Sequence, residues 1–145
     1  MILLFNVFCP LIAAIAVLFG ASARQTSLAA AGLTLAATLV AFAGFEHGHK
    51  GFTFVTTLPI SAEWRLNFIL GIDGLSLIMI LLTAIVTLAS IWFTGKVDQH
   101  ENAFYACLLF IAAGAMGAFA SLDLFFLYAF HEPALIPTFL LIGIW

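Results

Sequence analysis

Glu132 lies in the stretch Phe130-His131-Glu132-Pro133-Ala134-Leu135-Ile136-Pro137, inside an otherwise apolar run from Leu124 to Trp145. A run of that length spans a bilayer, and an ionised side chain at its centre costs roughly 3 kcal/mol on insertion scales. Such an acid has two readings. In one it lies near a helix end and snorkels to the headgroups, or is neutralised against a neighbouring helix; in the other it carries protons, as intramembrane acids on ion pathways do. Depth separates them. Glu132 is nine residues beyond Asp123, which on a straight helix places it about 13 to 14 Å deeper, against a half-thickness of the hydrocarbon of about 15 Å. With Asp123 at the interface Glu132 reaches the midplane, which favours the proton site.

Its neighbours suit that chemistry. Pro133 has no N–H for the carbonyl of Ala129, and Pro137 has none for the carbonyl of Pro133. The expected result is a bent helix with free acceptors beside the acid, tolerated in lipid only where water or protein supplies donors. Burial raises a carboxyl pKa and a nearby lysine lowers it again, so the two in competition would make a switchable group. No lysine falls within the apolar runs of this chain. His131 points about 100° around the helix from Glu132, either lining water as a relay or packing as a polar aromatic. His131-Glu132 does not open a zincin motif, because the second histidine is missing. Asp73 reads as the N-cap or first-turn acid of helix three, where a carboxylate meets unpaired amides and the positive end of the helix dipole, and Asp123 reads as an interfacial cap rather than a relay.

The elements that must position these groups follow from composition. Apolar residues make up 65% of the 145 and charged ones 8%, with a mean hydropathy of +1.23; a soluble chain carries about a quarter charged residues. The fold class is therefore all-α, a polytopic membrane protein with about five transmembrane helices. The net charge of −3 offers no basic patch for nucleic acid. Cys9 and Cys107 are far apart in apolar runs, without the spacing of a cluster, zinc or redox motif, and read as small buried residues. Ala21-Ser22-Ala23 looks like a signal cleavage site, but the start lacks positive charge and its apolar run exceeds the usual h-region. It reads as a retained first helix.

Residues 1–45 are expected to hold helix one (2–21) and helix two (27–45), the latter rich in small residues that let helices approach closely. Residues 46–70 form a polar connector, with the alternation in 51–56 suggesting either a short strand or an extended segment lying at the interface. Within it, Trp64-Arg65 suits an interfacial anchor, and His47 and His49 read as solvated rather than metal-bound. Residues 71–145 carry helices three (71–93), four (103–120) and five, with Gly114, Ala115, Gly117 and Ala118 forming a small-residue face. Arg24 and Lys96 in short loops favour an outward-facing N-terminus. The abrupt apolar end suggests a fragment.

Gly71-Ile72-Asp73-Gly74-Leu75-Ser76, Phe104-Tyr105, and the acid followed by Ala134-Leu135-Ile136-Pro137 and Leu140 to Trp145 together resemble the antiporter-like subunit M, or subunit 4, of respiratory complex I. The resemblance is close over 68–145 and general over the first two helices. It implies the N-terminal part of a fold of roughly fourteen helices, in which Glu132 matches a helix-five glutamate that pairs with a lysine two helices later in proton pumping. Pro133 replaces a common alanine and His131 a common aromatic such as tryptophan. The resemblance further implies that NADH, FMN, iron–sulfur clusters and quinone bind to other subunits, with no cofactor in this chain. Its implied partners are the other membrane-arm subunits and the lipid bilayer, and its implied location is the inner (plasma) membrane of a bacterium. The alternatives are a subunit of a multisubunit sodium/proton antiporter and a structural scaffold in which Glu132 only joins helices.

Overall fold

A computed structural model describes residues 1–45, 51–61 and 66–145. Five helices and one hairpin follow in the order α1 (Ile2–Leu18), α2 (Ala23–Ala43), β1 (Thr53–Ser61), β2 (Leu66–Ile72), α3 (Gly74–Phe93), α4 (Glu101–Ala120) and α5 (Leu124–Ile144). The chain is an all-α polytopic membrane protein with this hairpin as its only sheet among the described residues. Helices α2 to α5 are each long and apolar enough to cross a bilayer, and α1 is an apolar helix of 17 residues.

Local chemistry sets the boundaries. Helix α1 ends three residues before the expected Ala21 because Gly20 adopts a left-handed φ of +104°. The Gly20 amide then bonds the Val17 carbonyl and the Ala21 amide bonds that of Ala16, at 3.1 Å each. That paired pattern is the Schellman turn, which closes a helix within two residues. Helix α2 therefore starts at Ala23 rather than Ser27, and Arg24 to Thr26 enter its first turn. Deeper in α2, Thr34 donates to the carbonyls of Ala30 and Ala31 (3.0 and 2.9 Å) and Thr38 to that of Thr34 (2.8 Å). Hydroxyls bonded back to their own helix in this way are tolerated in an apolar interior.

Where the sequence suggested a short strand over 51–56, two antiparallel strands pair, with Thr56 opposite Leu70 and Leu58 opposite Phe68. Phe68, Leu70 and Ile72 are buried, the period of two expected of a strand with one face on a core. The expected start of helix three at Gly71 is corrected by this pairing. Gly71 and Ile72 complete β2, and α3 starts at Gly74 behind the Asp73 cap. Glu46, His47, His49, Lys50, Glu63, Trp64 and Arg65 lie outside the described residues.

Helix α4 is the hub, packing against each of the other four helices. The hairpin closes one end of the bundle. There Phe68, Leu70 and Ile72 join Leu3 and Val7 of α1, Leu77 and Ile80 of α3, and Met116 and Ala120 of α4. At the other end Ala13, Val17, Ala30, Ile91, Tyr105 and Leu109 form a second cluster, with Arg24 in the first turn of α2 and Lys96 in the loop between α3 and α4. Arg24 donates to the Trp92 carbonyl at 3.5 Å.

Candidate functional site

The acid is positioned from the hairpin upward. The connector between α4 and α5 lies along β2, with Ser121 bridged to Leu70 and the Leu122 amide donating to the Ile69 carbonyl at 3.0 Å. Gly71 makes room for this: a Cβ there would stand 2.7 Å from Leu122 Cδ1. Asp123 follows as the N-cap of α5, its Oδ1 accepting from the amides of Phe125 (2.8 Å) and Phe126 (3.4 Å). Ser121 Oγ donates to the Asp123 carbonyl at 3.0 Å. Ser121 and Leu122 thereby tie the capping residue to the sheet.

The first two turns of α5 are then fixed by aromatic packing. Phe68 of β2 meets Phe126 edge to face at 4.8 Å between centroids and Phe130 at 5.9 Å. Phe126 and Phe130 are four apart and share a face, and that face looks toward α4. Contact with α4 is tight enough to require glycine. A Cβ at Gly114 would come 2.7 Å from the Phe130 carbonyl oxygen and 2.8 Å from the Ala134 nitrogen, and one at Gly117 would meet the Phe130 ring at 2.4 Å. Two members of the expected small-residue face, Gly114 and Gly117, thus make this joint.

Helix α5 runs unbroken from Leu124 to Ile144 through both Pro133 and Pro137. Glu132 is its ninth residue, about 12 Å along a helix of about 31 Å. By helical rotation Glu132 lies about 160° to 200° from Phe130 and Ala134, so it projects from the side of α5 opposite α4. Glu132 and His131 are both exposed, and neither has a hydrogen-bond or ion-pair partner among the described residues. His131 instead lines a shallow groove on the outer surface of α5 with Ala134, Leu135, Thr138 and Phe139. Pro137 is buried, the one residue of α5 that is. Pro133 and Ala129 line an apolar cleft shared with Phe8 and Leu11 of α1, Leu58 of β1 and Phe68. The side chains of that cleft offer no donor to the Ala129 carbonyl, which leaves it to a neighbouring amide of its own helix, to water or to protein beyond these helices.

Asp73 sits apart from this group, at the start of α3. Its Oδ1 accepts from the Ser76 amide at 2.7 Å, and that backbone bond holds its carboxyl below the ordinary aspartate value. The arrangement therefore gathers Glu132, His131, Pro133 and Pro137 on one helix, with Asp123 at its base and Asp73 on another element. Sequence reasoning assigned no role to Phe68, whose ring orients the turns below the acid. The signal was present in the alternation Phe68, Leu70, Ile72.

What α5 offers chemically is a carboxyl about 12 Å along a helix long and apolar enough to cross a bilayer, facing away from its own bundle. Among known proteins, the chain is 34% identical to the NADH-quinone oxidoreductase subunit M of Rhodobacter capsulatus, over 86% of this chain and 24% of that protein. It is 33% identical to the F(420)H(2) dehydrogenase subunit M of Methanosarcina mazei, over 96% of this chain and 29% of that protein. To the NADH-ubiquinone oxidoreductase chain 4 of Metridium senile it is 38% identical, over 84% of this chain and 26% of that protein. No protein-family model matches. The chain spans about a quarter of the length of the curated relatives it matches.

Proposed function

The chain belongs to the subunit M/chain 4 family of NADH-quinone oxidoreductases over the quarter of that subunit's length that it spans, and we propose that this stretch supplies one carboxylate of a transmembrane proton path. Glu132 is that group. The observation that carries the reading is its placement: mid-helix on α5, opposite the α4 contact, with no partner among the described residues. A lone carboxylate at that depth is costly in lipid, so it belongs against further protein that offers it a basic partner.

In this reading the remainder of the subunit covers the outer face of α5 and brings the lysine that Glu132 pairs with. Proton uptake follows when that pair separates and the desolvated carboxyl binds a proton; release follows when the pair re-forms. The proline-freed carbonyls of Ala129 and Pro133 hold water in the path, and His131, on the adjacent surface, is the relay or packing group beside it. Asp123 and Asp73 keep α5 and α3 anchored.

No cofactor is held by this chain in the scheme. NADH, FMN, the iron–sulfur clusters and quinone belong to other subunits, and the direct partners are those of the membrane arm in the inner (plasma) membrane of a bacterium. The relative from Methanosarcina mazei carries F(420)H(2) in its name, which fits a proton module indifferent to the electron donor. Glu132→Gln in the full-length subunit should abolish proton translocation while the complex assembles and electron transfer to an artificial acceptor persists. Translocation at the unsubstituted rate would remove Glu132 from the path.

A further inference from the structure

Asn6 is a polar residue sealed inside α1. It is 2% exposed, on the buried stripe that includes Leu3, Val7 and Pro10, and among the described residues neither Nδ2 nor Oδ1 has a hydrogen-bond partner. Its backbone adds to the deficit. Residue i+4 is Pro10, which has no N–H to give to the Asn6 carbonyl. One residue thus carries three polar atoms, two acceptors and a donor, without the usual means of satisfying them, in a helix interior where lipid supplies none.

Other buried polar groups here solve the problem within their own helix. Thr34 and Thr38 bond back to carbonyls three and four residues earlier. Ser27 Oγ is also buried and unpartnered, but rotation about its χ1 brings it to a carbonyl of its own preceding turn. An asparagine has a donor and an acceptor to satisfy at once, and a single carbonyl meets only the donor. The burial of Asn6 also rules out a lipid headgroup or a neighbouring subunit as its partner. What fits is a ligand small enough to be enclosed that both donates and accepts.

We propose that α1 holds an ordered internal water at Asn6. A cation would suit the two oxygens but leave Nδ2 facing a positive charge, whereas water accepts from Nδ2 or donates to Oδ1 or to the carbonyl. Buried waters make about three hydrogen bonds to such groups. The site lies about 6 Å from the start of α1, among the residues that seat this helix on β2 and α4. It therefore fixes the register of α1, since a slide of one residue would withdraw the amide from its water.

The test is a density map of the full-length subunit in its assembled complex, at about 2 Å resolution. An ordered water at about 2.7 to 3.2 Å from Asn6 Oδ1 or Nδ2 is the expected result. A dry amide, or one satisfied by protein groups alone, overturns the proposal. Asn6→Leu gives a second reading. Deleting a hydrated amide should leave the thermal midpoint level or lower and erase the water density. A raised midpoint would mean that the amide was buried unsatisfied, and would equally overturn it.

Discussion

Helices α4 and α5 are nearly matched in length and both strongly apolar, yet α4 has ten buried residues and α5 only Pro137. The difference is side-chain size and neighbour count rather than hydrophobicity. Helix α4 carries Ala106, Ala112, Ala113, Gly114 and Gly117 on its buried faces, and small residues let several helices approach one axis. Helix α5 presents Phe125, Leu127, Tyr128, Ile136 and Phe139 outward and touches its own bundle along one narrow line. In a membrane, apolarity places a helix in lipid; the distribution of small residues decides which helix becomes the centre. Glu132 and His131 sit on the helix that is not the centre.

The joint between them is the place to break that comparison. Gly114→Val would drive a branched side chain into the backbone of Phe130 and Ala134, where a Cβ alone already comes within 2.8 Å. Backbone cannot swing aside as a side chain does, so the full-length subunit should lose about 3 kcal/mol or more of stability. Thermal unfolding in detergent measures the loss, and a disulfide engineered across α4 and α5 should form more slowly. A neutral Gly114→Val would mean that α5 does not ride on this surface.

Phe139 sharpens the other half. It is 74% exposed here and lies within about 20° of Glu132 around α5, two turns further on. If the rest of the subunit covers the face that carries the acid, Phe139 is buried there, and Phe139→Ala should cost about 2 kcal/mol or more in the full-length protein. A loss below about 0.5 kcal/mol would mean that this face looks onto lipid, leaving Glu132 without protein to pair with.

How much of this was legible in advance differs by level. The acid, the cap at Asp123 and the prolines are close in sequence, and helix geometry alone converts their spacing into distance along α5. The caps at Asp73 and Asp123 were legible for the same local reason. Gly114 and Gly117 announced a close contact but not its partner. The hairpin was only half visible, because Phe68, Leu70 and Ile72 merge into the apolar opening of α3, and an apolar strand beside an apolar helix leaves no break in hydropathy. Which side of α5 turns outward was not legible at all. Its large apolar residues surround it evenly, so the choice was made by Phe68 and the two glycines of α4, contacts between elements far apart in the chain.

The smallest effect concerns Asp73, and its sign is fixed by the direction of its pKa. The Ser76 amide holds the carboxyl below its ordinary 3.8, so the ionised form is favoured more by the folded chain than by the unfolded one. The stabilisation is complete above the unfolded value and is lost as pH falls through the lower, folded one. Asp73→Ala should therefore cost about 1 kcal/mol at neutral pH and progressively less below about pH 4. Asp73→Asn should keep most of the cap, because its amide oxygen still accepts from Ser76, but should lose the pH dependence. Urea unfolding of the full-length subunit across pH 3 to 7 tests both. An Asp73→Ala penalty that did not diminish toward acid pH would mean that the carboxylate charge contributes nothing, and that the start of α3 is held by the hairpin alone.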